Sequence, residues 1–346
     1  MTSLDYGVMK MSSEAVVVEP ALRSRVPDFF IVGHAKSGTT ALYEMLKRHP
    51  QIFMPDVKEP YYFACDNPQP KRSSGRRWTT LDQTGTRAET FDEYLSLFTP
   101  AKPNQRAGEA STHYLWSRNA ATRIAQAQPQ ARIVAILREP ASFLRSLHLQ
   151  LAQNGSETEK SFRKAMALED SRREGRHIPR RSIWPACLLY SERVRYVEQL
   201  RRFHTLFGAD RMLVLIYDDF KRDNQATVRA VLRFLGVDDT VALESTQANP
   251  TVAVRSVQLQ MLVRDVRRGR GTIPRAIKRV VRTFTSARVR RELLHPLRRR
   301  VLYGAPSPPD ERFMLELRRR FKGEVQALSE YLERDLVTLW GYDELD

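Results

Sequence analysis

The chain has 346 residues, of which 42% are hydrophobic and 28% are charged, a composition that excludes a collagen-like, low-complexity or wholly disordered protein. Its 57 Lys and Arg residues outnumber 40 Asp and Glu residues, so the formal net charge is +17. Such an excess predicts a polyanionic partner: a nucleic acid, an anionic membrane, or a phosphorylated or sulfated ligand.

The positive charge is concentrated near the C-terminus. Residues 251–322 hold 20 Lys and Arg against 5 Asp and Glu, a balance of +15, which leaves +2 for the other 274 residues. A nearly neutral body therefore carries a strongly basic segment, and the net charge says little about the partner of the body.

Cysteine content and hydropathy bear on the compartment. Cys65 and Cys187 lie outside any CxxC spacing, which favours neither a disulfide framework nor a thiolate zinc site. The apolar run within residues 1–26 is too short for a signal-peptide core, and no stretch approaches the roughly 20 apolar residues that cross a bilayer. We expect a cytoplasmic protein with a frayed tail over residues 1–26.

Strands and helices alternate in the pattern from residue 27 to 240. Apolar runs of β-formers predict three buried strands, and apolar residues at helical spacing predict helices after them. The predicted strands are 29–33, 132–137 and 212–217, and the predicted helices are 41–46, 140–151, 188–207 and 227–235. A Pro-, Gly- and Arg-rich stretch at 68–85 predicts a surface loop. This alternation predicts an α/β core with a doubly wound parallel sheet flanked by helices.

The pattern beyond residue 240 is helical and basic. We expect residues 241–346 to form a helical extension packed on the core, with a proline-rich break at 306–309 and a final helix over 311–332. Basic residues interleave with an apolar stripe at 273–284, so residues 264–300 could contact an anionic membrane or an acidic substrate. A solvated helix and a contribution to a ligand site are the alternatives, and no specific nucleic acid is expected.

The segment GHAKSGTT at residues 33–40 joins the first strand to the first helix. Backbone N–H groups and the helix dipole at such a junction favour a phosphate or another oxyanion. The two glycines and the last threonine fit the frame G-x-x-x-x-G-K-[ST], but Thr39 occupies the lysine position and the lysine stands at Lys36. A P-loop-like site that is not a nucleoside-triphosphatase follows, with a P-loop kinase with a displaced lysine as the alternative function.

The run Lys36-Ser37-Gly38-Thr39-Thr40 after a strand resembles the 5′-phosphosulfate-binding loop of sulfotransferases that use 3′-phosphoadenosine 5′-phosphosulfate (PAPS). Arg138 at a strand end and Ser146 eight residues later resemble the 3′-phosphate site of that family. A guanidinium can bind a phosphate through two hydrogen bonds. A strand-end salt bridge with Glu139 is the alternative for Arg138.

Further motifs extend the resemblance over residues 27–240 and to a terminal segment, 328–340, typical of bacterial members. Lys58 and Glu59, in the run KEPYYF, resemble a segment of the glycan-modifying, heparan sulfate-type and bacterial branches, where the Glu acts as the base. Tyr190 resembles the tyrosine that contacts the adenine. On these residues the chain is identified as a bacterial member of the family, closer to the heparan sulfate branch than to the cytosolic small-molecule branch.

The resemblance implies transfer of a sulfuryl group from PAPS to a hydroxyl or amine of a glycan, glycolipid or small metabolite, with release of PAP. Lys36 would neutralise charge on the leaving phosphate while residues 37–40 bind it, and no metal is required. Glu59 is the favoured base and His113 is the second candidate, since a His near neutral pKa is an efficient base. His34 is expected to line the loop without a catalytic role. The acceptor and the oligomeric state are not fixed by the sequence.

Overall fold

The computed structural model describes residues 26–64, 88, 90–179, 182, 184–243, 253–254, 303–304 and 306–345. Several predictions fall on other parts of the chain. The predicted surface loop at 68–85, Cys65 and the predicted basic helix within 264–300 lie outside the described residues.

Five strands form the central sheet: β1 Phe29–Ile31, β2 Ile52–Phe53, β3 Arg106–Ala110, β4 Arg132–Leu137 and β5 Met212–Ile216. Every pairing is parallel, and the order is β2-β3-β1-β4-β5. Strands β2 and β3 lie on one side of β1, and the chain then crosses to the other side, where β4 and β5 lie. In an open parallel sheet the ligand crevice lies at the carboxyl ends of the strands, where the order reverses, and here that point is beside β1.

The helices connect these strands and extend beyond them. Their bounds are α1 Thr39–Leu46, α2 Phe91–Ser96, α3 Ala120–Ala127, α4 Pro140–Asn154, α5 Phe162–Ala167, α6 Glu169–Arg173, α7 Tyr196–Phe207, α8 Tyr217–Arg222, α9 Asn224–Leu235, α10 Glu311–Tyr331 and α11 Leu336–Leu339. Short 3₁₀ turns occupy Pro185–Leu188, Ser191–Val194 and Ala209–Arg211, and β6 Ala253–Val254 pairs with β7 Tyr303–Gly304 in a separate antiparallel ladder.

Both faces of the sheet are buried. In β4, Ile133 and Ala135 belong to one hydrophobic cluster and Val134 and Ile136 to the other, because successive side chains of a strand point to opposite faces. Helices α3, α4, α7 and α10 cover the first face, and α1 and α9 cover the second. The predicted doubly wound parallel sheet flanked by helices is confirmed. The helix predicted over 311–332 is also confirmed: it is α10, and it packs on the core.

Several predicted boundaries differ from the observed ones: β1 ends at Ile31, α1 begins at Thr39, α4 ends at Asn154 and α9 begins at Asn224. Two further boundaries are wrong. The predicted helix over 188–207 begins only at Tyr196, since the side-chain amide of Gln199 donates to the carbonyl oxygens of Glu192 (3.0 Å) and Arg193 (3.3 Å) and terminates the preceding 3₁₀ turn. The third predicted strand ends at Ile216, and Tyr217 instead starts α8. Within the described part of the chain, no helix has the length and apolarity needed to span a membrane.

Gly33 lies where β1 approaches β4 most closely, and it provides the first test of this packing. A Cβ atom at Gly33 would lie 2.4 Å from the backbone nitrogen of Ile136. We expect Gly33→Ala to lower the free energy of unfolding by at least about 2 kcal/mol, measured by denaturant titration. The control is Gly323→Ala in α10, where a Cβ meets nothing within 4 Å among the described residues; it should gain up to about 1 kcal/mol. Equal stabilities would contradict the close approach.

Candidate functional site

The loop between β1 and α1 turns sharply at the carboxyl edge of the sheet. Lys36 (φ 65°) and Gly38 (φ 89°) both adopt left-handed backbone conformations. A Cβ at Gly38 would lie 2.9 Å from the ring of Phe220 in α8, so this position also has no room for a side chain. The first N–H groups of α1 have no acceptor within the helix, which leaves donors at the loop for an anion.

Arg138 follows β4 and holds this loop. Its Nη1 donates to the carbonyl oxygen of Lys36 at 2.9 Å, and its guanidinium lies 4.9 Å from the ring centre of Tyr217. The hydroxyl of Tyr196 donates to the carbonyl oxygen of Arg138 at 2.9 Å. The alternative partner, Glu139, instead accepts from the N–H groups of residues 141 and 142 and caps α4. Arg138 therefore has no carboxylate partner among the described residues.

Two cations and two hydroxyls lie in the loop or in the segment that follows β4. Burial and, secondarily, the charge of Arg138 lower the pKa of Lys36. The hydroxyls of Ser37 in the loop and Ser146 in α4 are buried and have no hydrogen-bond partner among the described residues. Buried donors without acceptors and two cations without counter-charges are the expected features of an anion-binding site.

The turn that carries Glu59 lies against the end of β3. The N–H of Glu59 donates to the carbonyl oxygen of Ala110 at 3.1 Å, and Glu59 has a φ of 62°. Lys58 Nζ lies 2.5 Å from Glu59 Oε1, and the hydroxyl of Tyr61 donates to Glu59 Oε2. A cation and a phenol thus orient this carboxylate.

Both candidate bases belong to one wall. The ring of Tyr61 stacks on His113, with 4.5 Å between the ring centres. The ring of Trp184 also contacts His113, with 4.2 Å between the centres. Because Tyr61 also donates to Glu59, the structure brings Glu59 and His113 together through one side chain.

A buried carboxyl that the motif analysis missed supports this wall. Glu109 accepts hydrogen bonds from Tyr94 (2.6 Å), Ser111 (2.5 Å) and Tyr114 (3.1 Å), and burial raises its pKa to about 7. Ser111 Oγ accepts from the N–H of Tyr61 at 3.1 Å, so Glu109 is linked through Ser111 to the turn that carries Glu59. Only the position of Glu109 at the end of β3, where a functional loop begins, could have indicated it.

Tyr190 is not among the side chains that contact the loop. Its ring is fully buried, and its hydroxyl donates to Glu157 at 3.0 Å. The predicted contact of Tyr190 with an adenine stays a prediction. Tyr196, which sequence reasoning missed, touches the site directly through Arg138.

His34 lies under the loop between Phe143 and Tyr196, with ring centres 4.8 and 5.4 Å away. Its Nε2 is 2.8 Å from Gln199 Oε1, and burial lowers its pKa well below the usual value. A neutral, packed imidazole of this kind supports the loop without taking part in proton transfer.

The acidic residues after β5 have structural partners. Asp218 accepts from Trp340 Nε1 at 2.9 Å, and Asp219 pairs with Arg334 at 2.6 Å. No group of three or more His, Cys, Asp or Glu side chains in the described residues could hold a metal ion.

Comparison with known proteins places this chain in a family. A sequence model described as "Sulfotransferase family" matches residues 27–240. A crystal structure of a sulfotransferase from Alicyclobacillus acidocaldarius is 29% identical, with a TM-score of 0.55 over 70% of this chain and 93% of that chain.

Two curated relatives are similar over shorter stretches. Carbohydrate sulfotransferase 15 of Mus musculus is 25% identical over 256 residues, which are 61% of this chain and 44% of the relative. The membrane-associated sulfotransferase kil1 of Dictyostelium discoideum is 33% identical over 116 residues, 33% of this chain and 21% of the relative. The chain spans less than half the length of both relatives.

The raised pKa of Glu109 predicts a pH dependence of stability. The folded carboxyl keeps its proton up to about pH 7, whereas the pKa of a glutamic acid in the unfolded chain is about 4.5. The folded state therefore binds more protons in this interval, and stability falls as pH rises through it, by on the order of 3 kcal/mol. Glu109→Gln cannot titrate at this position. The unfolding free energy of the wild type minus that of the variant should therefore decrease as the pH rises from about 4.5 to about 7. A difference independent of pH would contradict the assignment.

Proposed function

Because the chain belongs to the sulfotransferase family, we propose that it transfers the sulfuryl group of PAPS to a hydroxyl or an amine of an acceptor and releases PAP. The observation that carries this proposal is the pair of Lys36 and Arg138, two cations joined by one backbone hydrogen bond with no carboxylate beside either in the described residues. A doubly phosphorylated nucleotide supplies the missing negative charge.

The donor would be held at two points. The 5′-phosphosulfate would accept hydrogen bonds from the loop residues Lys36, Ser37, Gly38, Thr39 and Thr40. The 3′-phosphate would bind the guanidinium of Arg138 and the hydroxyl of Ser146. The unpartnered hydroxyls of Ser37 and Ser146 support this arrangement, because a buried donor without an acceptor costs free energy until a ligand accepts from it.

Transfer is an in-line displacement at sulfur. The acceptor oxygen or nitrogen forms a bond to sulfur, the bond from sulfur to the bridging oxygen breaks, and the electron pair stays on the 5′-phosphate of PAP. The ammonium of Lys36 stabilises the charge that develops there. The arrangement requires no metal, since the two cations of the protein supply the positive charge.

The acceptor proton goes to a base. Glu59 is favoured over His113, because its side chain is 28% exposed and Lys58 and Tyr61 hold it in one orientation. His113 lies between the rings of Tyr61 and Trp184, where a packing role accounts for it.

The acceptor is a glycan, a glycolipid or a small metabolite. A cavity of about 430 Å³ opens beside Trp116, whose ring lies 5.7 Å from His113, and arginines and glutamates line its rim. Aromatic side chains beside charged donors and acceptors suit a polar acceptor such as a sugar, and a similar protein is named a carbohydrate sulfotransferase.

The protein is proposed to act in the cytoplasm, with residues 264–300 able to contact an anionic membrane or an acidic substrate. The alternative function, a P-loop kinase, has only the displaced lysine in its favour. In this structure the backbone carbonyl of Lys36 has another role, since it accepts a hydrogen bond from Arg138.

Nucleotide binding distinguishes the two functions. PAP should raise the melting temperature, since a ligand at 100 times its Kd stabilises the folded state by about 2.7 kcal/mol. ATP with Mg²⁺ at the same concentration should change it little. A larger shift with ATP and Mg²⁺ than with PAP would contradict sulfuryl transfer and favour the kinase.

Lys36→Ala tests the catalytic cation. Transfer of radiolabelled sulfate from PAPS to an accepting extract should fall at least about 100-fold, because a donor at the developing charge is lost. PAP binding, measured by calorimetry, should be largely retained. Equal losses of binding and transfer would assign Lys36 to binding alone.

Substitution of each candidate base decides between them. Glu59→Gln should lower kcat about 100-fold or more, the usual contribution of a general base, with little change in KM for PAPS. His113→Asn is the matched variant and should lower kcat by less than about tenfold. The reverse order of effects would assign the base to His113.

A further inference from the structure

The last described residues of the chain contact the elements that flank Arg138. Arg334, Trp340 and Tyr342, called here the C-terminal anchor, lie outside residues 27–240, which the family model matches. We propose that this anchor positions Arg138 and the Lys36 loop for binding of the nucleotide. The inference rests on the proposed function in one respect, the identity of that nucleotide.

One contact of the anchor fixes the residue after Arg138. The hydroxyl of Tyr342 donates to Glu139 Oε1 at 2.5 Å, and both side chains are buried. The same carboxylate caps α4 by accepting from the N–H groups of Ala141 (2.9 Å) and Ser142 (2.7 Å). Tyr342 therefore stabilises the start of the helix that carries Ser146, directly beside Arg138.

The other contacts fix the element beneath the guanidinium. Trp340 Nε1 donates to Asp218 Oδ2 at 2.9 Å, and Arg334 pairs with Asp219 at 2.6 Å. These aspartates follow Tyr217, whose ring lies 4.9 Å under the guanidinium of Arg138. Phe220, one residue further, fills the space against Gly38 in the loop.

The anchor thus reaches the nucleotide loop from two sides. Tyr342 acts through Glu139 and α4, and Trp340 acts through α8 on both Arg138 and Gly38. The pair of Arg334 and Asp219 is partly exposed, and such surface pairs contribute little. Trp340 and Tyr342 are nearly or fully buried and donate to carboxylates, the stronger type of hydrogen bond.

None of the three side chains contacts a described loop residue, so they are positioning residues. Without them, α8 and the start of α4 would sample other positions, and the fraction of molecules with Arg138 bonded to the Lys36 carbonyl would fall. The apparent affinity for a ligand falls in proportion to that fraction.

The test uses the full chain with Tyr342→Phe, which removes only the hydroxyl donor, and with Trp340→Phe, which removes the indole N–H together with part of the ring. Each should weaken PAP binding, measured by calorimetry, about five- to tenfold, which is less than the full effect of one charge-assisted hydrogen bond because these contacts act on the site through Glu139 and α8. Without nucleotide, amide hydrogen exchange over residues 33–40 should be faster in both variants. KM for PAPS should rise while kcat at saturating PAPS stays near the wild-type value.

Tyr331→Phe is the matched control. The hydroxyl of Tyr331 bonds to His204 in α7, about two helical turns from Tyr196, so this variant removes a C-terminal phenol contact at the end of α7 that is remote from Arg138. It should bind PAP and exchange over residues 33–40 as the wild type does, even if its melting temperature falls.

Wild-type PAP affinity and wild-type exchange in both anchor variants would overturn the inference. Failure of the wild type to bind PAP would instead overturn the proposed function. The exchange measurement would still decide the positioning role in that case.

Discussion

The hydrogen bond from the guanidinium of Arg138 to the carbonyl oxygen of Lys36 joins the carboxyl ends of the two central strands, and the rest of the site depends on it. It forms because Gly33 lets β1 lie against β4, and because Lys36 takes a left-handed conformation that turns its carbonyl toward Arg138. The bond also holds two cations close together. Burial and the charge of Arg138 lower the pKa of Lys36, so the proposed anion would relieve an unfavourable arrangement of charge at the place where the sheet order reverses.

The second wall of the site is built on hydrogen bonds in a buried environment. Glu109, at the end of β3, collects three hydroxyl donors, and one of them, Ser111, accepts from the backbone of Tyr61. Tyr61 in turn contacts both Glu59 and His113. The candidate bases are therefore oriented from β3 and the cations from β1 and β4. Because these strands are neighbours in the sheet, one rigid element sets the separation of the two halves.

The sequence predicted the parts of this arrangement that are local. Strands β1, β4 and β5 are continuous apolar runs, and the order of strand, glycine, lysine and helix marks the loop. Strand β3 was not predicted, because Arg-Ala-Gly-Glu-Ala contains no β-branched or aromatic residue and forms a strand only through its neighbours. The contact of Tyr61 with His113 and the carboxyl network of Glu109 depend on tertiary packing. Tyr190 was predicted to lie early in one long helix, but a 3₁₀ turn follows it and α7 begins only at Tyr196.

The central claim is that Lys36 and Arg138 form an anion site whose cations repel each other until a nucleotide binds. Proton uptake on PAP binding tests it most directly, measured by calorimetry at alkaline pH in buffers of different ionisation enthalpy. Since the free protein lowers the pKa of Lys36 and bound phosphates raise it, wild type should take up protons as it binds PAP. Lys36→Met should bind PAP without that uptake. Equal uptake in both proteins, or none in the wild type, would contradict the account.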